Sequence, residues 1–158
     1  MRKLILAAGL AACLSLTGCN DPPEPEATAE ADAPKTSLAR QAQFYAGQEN
    51  VQSVQSGSVT ADAGGGLNLA ATVTTDGGGW TRVGFLPRIY AATPPDGIYE
   101  IDVVAQKPAT PGAPGPTSVE VKSGWDRYKD GRVKGVKFIS KANEVVAMVG
   151  GGAPPAAK

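Results

Sequence analysis

From Leu67 onward the apolar and polar side chains alternate with a period of two. Leu67, Leu69, Ala71 and Val73 interleave with Asn68, Ala70, Thr72 and Thr74. Successive side chains of a strand point to opposite faces, so the run reads as a half-buried strand. Thr81, Val83 and Phe85 predict a second, continuing toward Tyr90. Tyr99, Ile101, Val103 and Ala105 alternate with Glu100, Asp102 and Val104. Val119 and Val121 oppose Glu120 and Lys122, and Val136 and Phe138 oppose Lys137 and Ile139. The run Glu144 to Val149 is apolar enough for a central strand, and a weaker strand signal covers Val51 to Thr60.

The segments between these runs are turn-formers: ADAGGG, TDGGG, TPPDG, KPATPGAPGP and SKAN. Gly, Pro, Asn and Asp supply the backbone angles and local hydrogen bonds that turns need. The chain therefore predicts a mainly β fold. It is a single small antiparallel β-sandwich or barrel-like domain of six to seven strands over residues 48–150.

The flanks break the pattern. In residues 37–47, Leu38, Ala42 and Tyr45 fall at helical spacing, Ser37 is placed to cap the start and Gly47 to end it. That predicts a short helix, marginal without tertiary contacts. Residues 20–36 hold no large apolar side chain and are rich in Pro, Glu and Ala. Such a stretch buries too little surface to offset its ordering entropy, and is expected to be a disordered, semi-extended tether. The tail, residues 151–158, is expected to be disordered as well.

The N-terminus has a different pattern. Arg2 and Lys3 precede Leu4 to Leu16, an apolar run of thirteen residues broken only by Gly9 and Ser15. It is shorter than a membrane-spanning helix and has the layout of a secretory signal. The run ends in Leu16-Thr17-Gly18-Cys19, which resembles the lipobox of bacterial lipoprotein precursors. That resemblance implies that residues 1–18 are a cleaved signal peptide. Cys19 becomes the lipidated first residue of the mature chain, bearing diacylglycerol and an amide-linked acyl chain such as palmitate. Residues 19–36 then form the lipidated cysteine and its tether. In Gram-negative families an aspartate directly after the cysteine favours inner-membrane retention. Asn20 stands there, so the expectation is the cell envelope, at the outer membrane facing the periplasm. No family is recognised for the folded domain.

Chemistry is restricted next. The sequence contains no histidine and two cysteines, Cys13 and Cys19. On the lipoprotein reading the first leaves with the signal and the second is acylated. Cys/His zinc sites, Cys–His and Ser–His nucleophilic pairs and histidine-ligated haem are thereby excluded. No cofactor, metal ligand set or catalytic residue is assigned. Gly64–Gly66 and Gly77–Gly79 precede strand patterns, not helices, so they read as turns and not as phosphate loops. Glu100 and Asp102 share the face of their strand opposite Tyr99 and Ile101, and are expected to point outward into solvent. Trp80, after a glycine turn, reads as a core or lid aromatic.

Formal net charge is zero, but it is segregated. Asp21, Glu24, Glu26, Glu30 and Asp32 lie in the tether; Lys122, Arg127, Lys129, Arg132, Lys134, Lys137 and Lys141 crowd residues 122–141. Within SGWDRYKDGRVKGVKF, Trp125 and Tyr128 alternate with Arg127, Lys129, Arg132 and Lys134 around a turn at Asp130-Gly131. That mixture suits stacking and charge contacts with a ligand. It equally describes a hairpin whose aromatics enter the core while its cations stay wet.

The functional expectation is a lipid-anchored envelope lipoprotein whose non-enzymatic β-domain binds a protein or envelope polymer. Its membrane contact is the lipid, and nucleic acid is not a partner in that compartment. The alternatives are an inhibitor or immunity-type lipoprotein against a secreted hydrolase or toxin, a structural accessory of an envelope complex, and a metal-independent hydrolase.

Overall fold

The computed structural model describes residue 37, residues 39–40 and residues 42–151. The expected signal peptide (residues 1–18), Cys19, the expected tether and all but the first residue of the expected tail (residues 151–158) lie outside the described residues. Among the described residues the chain is all β, with ten strands: β1 Ala39–Arg40, β2 Gln48–Asn50, β3 Ser53–Ala61, β4 Leu67–Asp76, β5 Thr81–Pro87, β6 Ile89–Tyr90, β7 Ile98–Gln106, β8 Pro116–Trp125, β9 Gly135–Ile139 and β10 Glu144–Met148. The seven strands of five residues or more are those the sequence pattern predicts, six from their alternation or the weaker signal at β3 and β10 from its apolar run. The three short ones carry too few residues to show a period.

Two sheets face one another. The smaller has the order β3-β4-β8 and is antiparallel throughout. The larger is built on β7, which pairs with β5 along one edge and with β9 and β2, end to end, along the other; β10 lies outside β9. A separate two-stranded piece joins β1 to β6. The alternating apolar faces meet between the sheets. Leu67, Leu69, Ala71, Val73 and Val121 of one sheet enclose a core with Tyr99, Ile101, Val103, Val136 and Phe138 of the other. Tyr99, Ile101, Val103, Val136 and Phe138 are essentially inaccessible to water, each contributing about 1.5–3 kcal/mol by burial.

The sandwich is closed along one seam. Asn143, in the β9–β10 turn, donates its Nδ2 to Val54 O at 2.8 Å and accepts Val54 N–H on its Oδ1 at 2.9 Å. Further along, Val59 and Val149 form a parallel bridge, and Gly150 N donates to Val59 O at 3.1 Å. The opposite seam, between β5 and β8, has no hydrogen-bonded pair among the described residues.

Four expectations are corrected. The helix over 37–47 does not form among the described residues. Ala39–Arg40 instead pairs antiparallel with Tyr90 and Ile89, and Ser37 Oγ donates to Glu100 Oε2 at 2.8 Å. A segment this short gains more from an available strand edge than from an isolated helix. Gly47 does end the segment, in a turn where its φ is 75°. Second, β8 and β9 are not a hairpin: β9 runs parallel to β7, in the other sheet. Third, β10 is outermost in its sheet's hydrogen-bonded order, not central. Its apolar residues are half-buried because the seam with β3 covers them. Fourth, Glu100 and Asp102 are not solvated, for reasons given next.

Candidate binding surface

Two regions carry concentrated polar chemistry. The first is the outer face of β7. β7 is central in its sheet, and Arg88 and Asn50, from segments that flank it, engage the face that the alternation leaves polar. Asp102 is only 2% exposed. Arg88 answers its charge: Nε donates to Asp102 Oδ2 at 2.6 Å, Nη2 to Oδ1 at 3.0 Å, and Nη1 to Glu100 Oε2 at 2.8 Å. Asn50 Nδ2 adds a bond to Asp102 Oδ1 at 3.2 Å, and its own Oδ1 has no partner among the described residues. The hydrogen bonds that Arg88 donates to Asp102 raise the guanidinium pKa further above its ordinary value, against the effect of burial. A bidentate pair of this kind is geometrically specific. Its carboxylates are engaged in holding Arg88, a structural use, and nothing in the sequence pattern pointed to Arg88 as their partner.

Above this network lies an open cleft of about 390 Å³, lined by Phe44, Glu49, Asn50, Arg88, Asp102 and Lys141. Lys141 Nζ donates to Glu49 Oε2 at 2.7 Å, a bond that lowers the Glu49 pKa below the usual carboxylate range. The Lys141 ammonium also lies 5.7 Å from the Trp80 ring centre. Trp80 is half-buried against the core, and its Nε1 donates to Asp76 O at 3.2 Å.

The second region is the loop 126–134 between β8 and β9, which contains most of the sequence-nominated residues. Trp125, the last residue of β8, is 8% exposed and belongs to the core. It starts an aromatic stack: Tyr99 lies 6.0 Å from Trp125, Tyr128 lies 5.7 Å from Trp125 and 4.9 Å from Tyr99, and Tyr90 lies 4.9 Å from Tyr99. Tyr128 is the half-buried outer member of that stack. Arg127 and Arg132 flank its ring, at 5.7 and 5.4 Å from the centroid.

Carboxylates share this end of the sandwich. Arg132 Nε donates to both oxygens of Asp130, at 2.9 and 2.7 Å, and that bonding lowers the Asp130 pKa and raises that of Arg132. Lys129 lies 3.4 Å from Asp126. The Asp62 and Asp126 carboxylates converge on Gly66 from different loops. Asp96, which accepts Ile98 N–H at 2.9 Å, adjoins Gly97. Gly97 has φ 69°, and a Cβ there would lie 2.6 Å from Lys134 Cγ, so the 94–97 turn and Lys134 fit only because this residue is glycine. Lys134 Nζ donates to Gly131 O at 3.2 Å. The cations that dominate the linear segment thus meet four aspartates in space. The surface is of mixed charge around an aromatic, with Arg127 and Lys134 outside any ion pair among the described residues.

Comparison of the chain with protein-family models, with curated proteins and with solved structures finds no match.

Proposed function

We propose that the chain is a lipid-anchored envelope lipoprotein whose β-domain binds a protein partner through the 126–134 end of the sandwich. The reading of the anchor rests on Leu16-Thr17-Gly18-Cys19 and on the acidic, proline-rich segment that follows. Two or more acyl chains hold a protein stably at a membrane where one does not. The observation that carries the binding reading is Tyr128. Its inner edge is fixed by the Tyr99 and Trp125 rings, while two arginines frame its outer face. Tyr and Arg on a rigid base are the side chains that anchor protein interfaces, because they bring large area with little conformational entropy to lose. The interspersed aspartates favour a protein surface of mixed charge over a dense polyanion.

Photo-crosslinking in intact cells, with mass spectrometry of captured chains, tests this reading. A cross-linker placed at Lys129 captures a defined partner, and Tyr128→Ala combined with Arg127→Glu abolishes capture while the domain stays folded. Unchanged capture by that variant removes the 126–134 end as the site. In the same cells Cys19→Ala accumulates as an uncleaved, unacylated precursor; full processing of that variant overturns the anchor.

A further inference from the structure

Strand β8 is the least guarded edge of the molecule. Sheet edges present a row of unpaired backbone N–H and C=O groups, and proteins ordinarily block them with bulges, proline, short strands or covering segments. The outer strands β3, β5 and β2 are blocked in these ways, and the five-residue β10 lies along the seam with β3. β3 is bulged between Val54 and Ser56 and is covered by Asn143 and Val149. β5 is irregular between Thr81 and Gly84, where Arg82 has φ 49°, and it ends at Pro87. β2 has three residues.

β8, in contrast, holds an unbroken ten-residue register with β4, from Pro116 opposite Asp76 to Trp125 opposite Leu67. Among the described residues nothing pairs with its other side. Seven of its residues are exposed, including Ser123, which by alternation shares the inward side with Val121. Its solvent face carries two charges, Glu120 and Lys122, 62% and 68% exposed and 2.9 Å apart. On β4 they stand opposite Thr72 and Ala70, so neither has a charged partner there.

We infer that β8 pairs with β8 of a second copy of this chain, antiparallel about a twofold axis at Val121, making one six-stranded sheet from two three-stranded ones. A twofold interface is self-complementary: if residue i meets residue j, then j meets i. With the axis at Val121, Glu120 of each copy faces Lys122 of the other. Directly opposed charges of opposite sign stabilise an antiparallel pair, and like charges destabilise it. Moving the axis to residue 120 opposes Glu to Glu, and moving it to residue 122 opposes Lys to Lys. The charges that would guard this edge against a random strand therefore select its own copy in one register. A contact limited to one strand pair lies at the low end of specific interfaces, so the dimer is a weak one that local concentration populates.

Sedimentation of the full chain in non-ionic detergent, over a concentration series reaching hundreds of micromolar, tests the pairing. Wild type shifts from monomer to dimer with concentration. Glu120→Lys alone and Lys122→Glu alone each weaken the dimer about tenfold. An equimolar mixture of the two variants restores it, because lysines of one copy then face glutamates of the other. Circular dichroism confirms that both variants keep the fold. A wild type that stays monomeric throughout overturns the inference. Association that ignores both reversals, as micelle-borne association would, overturns it too. So does a mixture that behaves as the sum of its parts, or a β8 edge found occupied by a different chain.

Discussion

Asp102 is the residue whose environment differs most from its place in the sequence. It occupies a polar position of an alternating strand, yet it is 2% exposed and held by three N–H groups from Arg88 and Asn50. Removing one member of a buried pair strands the other charge, which costs about 3–5 kcal/mol, whereas replacing the whole group by packed apolar side chains is often neutral. Arg88→Leu is therefore expected to lower the unfolding free energy by about 3–5 kcal/mol in chemical denaturation. Combining it with Asp102→Leu and Glu100→Leu recovers much of the loss. Tyr90 offers a pH-dependent counterpart. Burial pushes its pKa from 10.0 to about 12. The folded state thus holds the phenolic proton more tightly than the unfolded state, and the associated stability is complete below the unfolded value of 10.0 and is lost as pH rises to about 12. Wild type is expected to lose stability more steeply than Tyr90→Phe across that alkaline window, measured by denaturation at fixed pH steps.

At the scale of elements, β3 and β9 meet more closely than a side chain on β3 would permit. A Cβ at Gly57 would lie 2.6 Å from the Phe138 ring, which is fully buried and cannot swing away. Gly57→Ala is expected to cost about 1–3 kcal/mol by overpacking. Thermal denaturation measures it, and Gly57→Ala with Phe138→Leu, which vacates the space, should be less destabilised than the two single changes added together. The seven long strands and the turns between them were legible because a face buried on one side imposes a two-residue period, with β10 read from its apolar run. The pairings were not. Whether β9 runs parallel to β7 or antiparallel to β8 leaves the alternation of Val136 and Phe138 unchanged, since both arrangements bury the same face. The helix expected over 37–47 fails for the same reason in reverse: a short pattern carries less energy than an edge at Tyr90 that only the fold provides.

For the whole molecule, the sequence alone determined that the chain builds a small β-sandwich-like domain, because period and turn composition are local properties. It also determined that the given sequence offers no histidine for chemistry, and it carries the stretch Leu16–Cys19 that resembles a lipobox. Of the candidate site it supplied the residues but not their balance. Trp125 and Tyr128 to Lys134 do lie together, yet Asp62 and Asp96 come to that end from distant turns, and the first aromatic serves the core. The tertiary structure alone decided that Arg88 neutralises β7, that one seam closes through Asn143 and Val149, and that β8 is left as an open edge. Each depends on which strands become neighbours. Burial and charge compensation are set by what covers a residue in space, and residues 88 and 102, or 54 and 143, are joined only after the chain has folded.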